Sequence, residues 1–197
     1  MKKNILLILI LLIICNDSFS ANSTATPEQV VKKLVNAIKL KKFGENLSPA
    51  DLEHNLKMTR IAATCFDLER MAKTALSDHW DAIKSDIQQQ LLTKIKDLVI
   101  KMAYPANNPD VQKIQIVYKG QQINGDQAEV NSLLIIKDKE LKIDYKLYQK
   151  DDQWLIYDVF SEQRSLIDDY RKQFNKVIQT YSVEKLLEIL DKRLEGK

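Results

Sequence analysis

Residues 141–160 read Leu141-Lys142-Ile143-Asp144-Tyr145-Lys146-Leu147-Tyr148-Gln149-Lys150-Asp151-Asp152-Gln153-Trp154-Leu155-Ile156-Tyr157-Asp158-Val159-Phe160. Leu141, Ile143, Tyr145 and Leu147 alternate with Lys142, Asp144, Lys146 and Tyr148. That period of two belongs to a strand with one buried face. Asp151-Asp152-Gln153 supplies a turn into the next run, Trp154 to Phe160. Towards the N-terminus a further strand is predicted around Ala128 to Ile136, reached through a connection holding Gly120 and Asn124-Gly125. Before it, Ile114, Ile116 and Tyr118 recur at every second position. Four consecutive strands over about 111–160, joined by short turns, predict an antiparallel sheet with one face buried.

On both flanks the period lengthens to that of a helix. Thr26-Pro27-Glu28-Gln29 has the form of a capping box with proline at the first helical position. Val30, Val31, Leu34, Val35 and Ile38 follow as one apolar stripe, and Gly44 is expected to close the element. Ser48-Pro49-Ala50-Asp51 repeats the signal for a second helix carrying Leu52, Leu56 and Ile61. Leu68, Met71, Ala72 and Ala75 mark a short third helix. Trp80, Ile83, Ile87, Leu91, Leu98 and Met102 mark a long fourth one that stops at Tyr104-Pro105. After the strands, Ser165 caps a helix bearing Leu166, Ile167, Tyr170, Phe174, Val177 and Ile178, and a last helix holds Val183, Leu186, Leu187, Leu190 and Leu194. Helical parts at about 26–104 and 165–195 around a meander at 111–160 make an α+β fold. No internal repeat, low-complexity tract or domain linker interrupts them.

The chain has 197 residues, enough for one ordinary domain, with 30 Lys+Arg against 27 Asp+Glu. No long basic run is present, which argues against an electrostatic nucleic-acid binder. With 4 Gly, glycine-rich phosphate loops are not expected, and 2 Cys with 2 His leave a zinc site short of ligands. Met1-Lys2-Lys3, the apolar run Ile5 to Cys15 and the small polar end Ser18-Phe19-Ser20 read as a signal peptide cut after Ser20. The alternatives are a lipoprotein with its lipid on Cys15, disfavoured by Ile14, and an uncleaved anchor. The mature protein would then be a single domain over 21–197 in an exported compartment. Cys65 would be its one cysteine, without a partner for an internal disulfide, and beside Phe66 it reads as a buried, inert thiol.

Little in the sequence announces catalysis. His54 lies on the polar side of the second helix and His79 in a turn before Trp80; each reads as a surface or packing residue. No GxSxG elbow, P-loop or HExxH motif occurs. Asp67 reads as a helix-start residue. Asp158, interrupting an apolar strand near its end, is the one candidate acid, with a hydrogen-bonded structural role as the competing reading. Apolar stripes on six helices and one sheet face are foremost a core, and a curved sheet with helices against it can also enclose an apolar ligand.

Three segments in this order, with a fourth near the C-terminus, resemble one family. Phe66-Asp67-Leu68-Glu69-Arg70-Met71-Ala72, running on to His79-Trp80, is similar to the FDxxxMA…W segment of the MlaC family, the periplasmic phospholipid-binding components of Mla transporters, also called toluene-tolerance auxiliary proteins. Ile143 to Leu147 followed by Trp154 to Val159 resembles its VxYxL…WxVYDV strand pair. Ser165-Leu166 with Tyr170 to Phe174 resembles its SL…YRxQF helix, and Leu186 to Leu190 its terminal LLxxL. Ser77, Gln163 and Ser182 stand where the family has glycine, and 91–110 aligns poorly, marking a divergent member.

The resemblance implies a four-stranded, curved, nuclear-transport-factor-2-like sheet with a helical subdomain against its concave side. It implies a phospholipid ligand whose acyl chains lie between the two, and no cofactor, metal or catalysis. The implied partners are an inner-membrane Mla-type ABC transporter complex and an outer-membrane lipoprotein complex, with the protein itself a monomer. The pocket-lining residues expected on this basis are Met71, Ile83, Ile87, Ile116, Tyr118, Val130, Leu134, Ile143, Tyr145 and Phe174. Arg171 is expected to pair with Asp158 or Asp67, or to meet a headgroup phosphate. Two rival readings remain at this point. One is an exported enzyme on the same roll, using a buried carboxylate beside Tyr145 or Tyr157; the other is an adaptor of a membrane complex that carries no lipid.

Overall fold

The computed structural model describes residues 25–103, 112–136 and 139–196. The signal segment and the Tyr104-Pro105 stop lie outside them. Helix α1 (Pro27–Lys39) starts at Thr26, whose side chain accepts from the Gln29 N–H while the Gln29 side chain accepts from the Thr26 N–H. Ser48 and Asp51 repeat this reciprocal capping for α2 (Pro49–Ala63). Asp67 accepts from the Arg70 N–H and so opens α3 (Leu68–Leu76). After α4 (Ser85–Ala103) come the strands β1 (Gln115–Asn124), β2 (Gln127–Ile136), β3 (Lys139–Lys150), β4 (Gln153–Ser161) and β5 (Arg164–Ser165). Ser165 and Ser182 then cap α5 (Leu166–Thr180) and α6 (Val183–Glu195). At the N-termini of α1, α2, α3, α5 and α6 a side-chain oxygen accepts an amide proton that has no partner within the helix.

The strands form one antiparallel sheet in sequence order, β1-β2-β3-β4-β5. It has five strands, not the four expected. The reason is a tight turn with no glycine or asparagine to announce it. Glu162 and Gln163 have φ of 48° and 66°, the two positive values of a type I′ hairpin turn. Asp151 and Asp152, at 48° and 60°, make the same turn between β3 and β4. Gly120 does not lie in a connection; β1 runs through it, and its φ of 124° accompanies a bulge after Tyr118. The free side of β4 is covered by β5 at one end. At the other, the Ile156 N–H donates to the Cys65 carbonyl and the Asp67 N–H to the Ile156 carbonyl. Such cover blunts an edge that would otherwise invite pairing with another chain.

The register stacks apolar residues in rows on one sheet face. Ile116 lies opposite Leu134 and Leu134 opposite Leu141; Val130 lies opposite Tyr145, and Leu147 opposite Ile156. Helix α1 crosses β1, β2 and β4, while α3 and α5 pack on β4 and α4 and α6 extend the helical layer outward. Val31, Met71, Leu91, Val130, Leu147, Ile156 and Leu190 are fully buried in the resulting core.

Three helix expectations need correction. Helix α1 ends at Lys39, five residues before Gly44. Trp80 and Ile83 do not belong to the fourth helix: Ser77–Ala82 is a 3-10 helix and Ile83 is extended, so α4 begins at Ser85. The extended Ile83 ends the run, and the Trp80 carbonyl there accepts both the Ile83 N–H and the Gln88 side-chain amide. Helix α2 faces inward through Met58 and Ala62, leaving Leu52 and Leu56 on the surface. Its rotation is fixed by the linker from α1. Asn55 exchanges hydrogen bonds with the Lys42 backbone, and the His54 ring contacts the Leu40 carbonyl at 2.9 Å.

Candidate functional site

The site expected from the sequence is an apolar layer between sheet and helices. All ten named residues fall in one continuous core. Met71, Ile83, Val130, Ile143, Tyr145 and Phe174 are buried; Ile87, Ile116, Tyr118 and Leu134 are half-buried and pack against it. The sheet supplies six of them on one face because of the register: Ile116 with Leu134, and Val130 with Tyr145, are cross-strand partners, and Tyr118 and Ile143 lie opposite the inward-facing Ser132 from either side. Met71 comes from α3 and Phe174 from α5, helices that pack on one another. Burial pushes the Tyr145 phenol well above its ordinary pKa, so it is neutral, next to Tyr118 and the Ser132 hydroxyl. Ser132 itself donates to the Ile143 carbonyl at 2.9 Å, so this inward-facing hydroxyl is satisfied.

Sequence reasoning left α1 out of the site. Val31, Leu34 and Val35 lie on the same sheet face as the β1 and β2 residues, with Lys32 over the Tyr118 ring at 5.1 Å. The signal was legible as the apolar stripe after Thr26. What the stripe could not say was which surface it covers. Five surface clefts with volumes from 270 to 490 Å³ are lined by other residues and by none of the ten.

The polar candidates resolve into structural roles. Asp158 is buried, and its carboxylate accepts from the Ser165 hydroxyl at 2.5 Å, the Val159 N–H at 2.8 Å and the Ile167 N–H at 3.2 Å. It therefore ties the end of β4 to the start of α5. Arg171 pairs with neither Asp158 nor Asp67; its guanidinium reaches Asp168, three residues earlier on α5, at 2.9 Å. The helix spacing offers that partner first. His79 lies in the 3-10 helix, 2.7 Å from the Asn175 side-chain oxygen, and Cys65 is buried, its thiol pushed up by burial. Among the described residues no group of His, Cys, Asp and Glu could hold a metal ion, and no helix is long and apolar enough to cross a membrane.

Arg70 is a residue whose position the sequence did not indicate. Its guanidinium carbon lies 4.2 Å from the Tyr148 ring centroid and 4.3 Å from that of Tyr157, and the two rings meet edge-on. The Tyr148 hydroxyl donates to Asp67. Burial works to raise the Asp67 pKa, but the bonds from the Arg70 N–H and Tyr148 outweigh it and hold the carboxyl below its ordinary range. Each cation–π contact at an exposed site contributes about 0.5–1 kcal/mol. Arg70→Ala should therefore lower stability by about 1–2 kcal/mol in urea unfolding, and Arg70→Lys, whose compact ammonium lacks the extended planar guanidinium that reaches both rings, should recover only part of it. A loss below measurement error for Arg70→Ala would show that the two ring contacts contribute nothing.

A family model described as MlaC protein matches residues 28–192. The chain belongs to the MlaC family. A solved phospholipid-binding protein from Ralstonia solanacearum, in complex with a phospholipid, shares the fold with a TM-score of 0.66 and 21% identity, covering 88% of this chain and 98% of that one. Among curated proteins no match was found. The segments that resemble MlaC sequences have identifiable structural work in this MlaC protein. Phe66 is buried where 65–67 meets β4, Asp67 caps α3, Met71 and Ala72 are fully buried, and Asp158 joins β4 to Ser165. Of the positions where the resemblance expects glycine, Ser77 and Gln163 hold φ of 46° and 66°, a region costly for a side chain. Ser182 is extended, with φ of −169°, and caps α6 instead.

Proposed function

We propose that this MlaC protein is a periplasmic phospholipid carrier, taking lipid between an inner-membrane Mla-type ABC complex and an outer-membrane lipoprotein complex. The acyl chains would be received between the sheet face and the helices across it, with the headgroup near solvent. The observation that carries this reading is the single apolar core to which β1 to β4, α1, α3, α5 and the start of α4 with Ile83 before it contribute, and in which all ten expected residues lie. The Ralstonia protein of the same fold, bound to a phospholipid, supports it. Burying a methylene gains about 0.8 kcal/mol, so two acyl chains of about thirty methylenes would cost about 24 kcal/mol to expose to water. A carrier replaces that step by transfer between apolar surroundings, and needs no catalytic group to do so. The three hydrogen bonds already accepted by Asp158 favour this over an enzyme using that carboxyl as its acid.

Organic extraction of the purified protein, with mass spectrometry of what is released, tests the proposal. Phospholipid in about equal molar amount to protein is expected. A folded preparation from phospholipid-rich cells that releases none would sink it.

A further inference from the structure

Helix α2 turns its apolar residues the wrong way for a core helix. Leu52 and Leu56, one helical turn apart, are 52% and 58% exposed, and Leu40 in the linker is 56% exposed. Leu56 lines a 490 Å³ cleft with Glu53, His54, Lys57 and Arg60, and Leu40 lines a 410 Å³ cleft with Lys32, Lys33 and Ile61. The His54 contact to the Leu40 carbonyl joins the two. Charge is concentrated on the same hairpin: residues 27–64 hold seven Lys and Arg against four Asp and Glu, whereas 65–197 hold 21 against 22. Of the four acids, Glu28 is paired with Lys32 and Asp51 caps α2. Glu45 and Glu53 are left against Lys39, Lys42, Lys57 and Arg60.

We propose that the α1–α2 hairpin seats this protein on an anionic lipid surface, with Leu40, Leu52 and Leu56 entering the headgroup layer and Lys57 and Arg60 meeting the lipid phosphates. The leucines on the free face of α2 and the basic excess of the hairpin as a whole, most of it from α1 and the linker, supply the apolar and the charged part of an interfacial element. The long lysine and arginine stems reach outward from the apolar zone to the charged one. A protein partner fits less well. Protein interfaces concentrate aromatic residues at their centre and avoid lysine, and this face has no Trp, Tyr or Phe among its exposed large apolar residues. The proposal is independent of the cargo reading, since none of these residues is among the ten assigned to the lipid layer.

Sedimentation of the purified mature chain with vesicles tests it. Binding is expected to phosphatidylglycerol-rich vesicles and to be much weaker with pure phosphatidylcholine, and to fall away near 1 M salt, where the screening length is about 3 Å. Lys57→Ala with Arg60→Ala should weaken the partition about 30-fold, as expected for two basic residues lost from an anionic surface. Leu52→Ser with Leu56→Ser should weaken it about tenfold or more. These sites are exposed, so both double variants should keep the wild-type thermal midpoint and co-extracted phospholipid. Equal binding to both vesicle types, wild-type binding by either folded variant, or capture of an acidic protein without vesicle binding would each overturn the proposal.

Discussion

Protein carrying Tyr145→Glu should hold roughly a tenth or less of the phospholipid that the wild type holds, while Tyr145→Phe should hold as much. Tyr145 is 6% exposed, between Val130 on β2 and Val159 on β4, in the middle of the apolar face. A glutamate there puts a carboxyl against the methylenes that the proposal assigns to this layer. Among the described residues no Lys or Arg is buried to compensate it. Ionised, it repels acyl chains; protonated, it still asks for a hydrogen bond that a hydrocarbon cannot give. Tyr145→Phe removes only the hydroxyl, and Ser132 keeps its bond to the Ile143 carbonyl. Circular dichroism separates loss of lipid from loss of fold. If Tyr145→Glu fails to fold, Val130→Trp fills the same row by volume alone, at a cost of about 1–3 kcal/mol. Wild-type lipid content in either folded variant would remove this row from the site.

Asp158→Leu should lower unfolding free energy by about 3 kcal/mol, and Asp158→Asn by less than about 1. Leucine leaves the Val159 and Ile167 N–H groups and the Ser165 hydroxyl without an acceptor in a buried junction. Asparagine keeps an oxygen for the two amides, and its NH₂ can donate to Ser165, whose oxygen already accepts from the Asp168 N–H. The pH dependence has a definite sign. Burial raises the Asp158 pKa despite the bonds from Ser165, Ile167 and Val159. A carboxyl whose folded pKa is raised contributes stability that is fully present below its unfolded pKa, near 3.8, and is lost as pH rises through the folded value. The stability of the wild type relative to Asp158→Asn should therefore increase on acidification from neutral pH. Urea denaturation at several pH values measures both effects, and a flat difference would show that burial does not dominate this carboxyl.

Both experiments rest on residues that were legible in the sequence for unequal reasons. The alternation from Leu141 to Leu147 sets one sheet face whatever surrounds it, because side chains along a strand alternate by geometry. The capping residues Thr26, Ser48, Asp67 and Ser165 were equally readable, since each acts within three residues of itself. The partners of Arg171 and the inward face of α2 were not. Arg171 took the acid beside it on its own helix, and α2 took its rotation from Asn55 and His54 held against the Lys42 and Leu40 backbone. An i to i+4 pair such as Leu52 and Leu56 looks the same whether the helix is turned towards the core or away from it.

Local rules thus determined from the sequence the α+β class, the strand faces, the helix starts and the residues able to build an apolar layer. The tertiary structure alone decided the placement of α1 over β1, β2 and β4, the contact of Arg70 with two tyrosine rings and the outward leucines of α2, while the fifth strand came from a local turn whose residues, Glu162 and Gln163, do not announce it. The division follows the range of the forces. Alternation, capping and turns are settled within a few residues. Which apolar face meets which depends on contacts between segments far apart in the chain, whose energies are similar for several arrangements until the whole core is assembled.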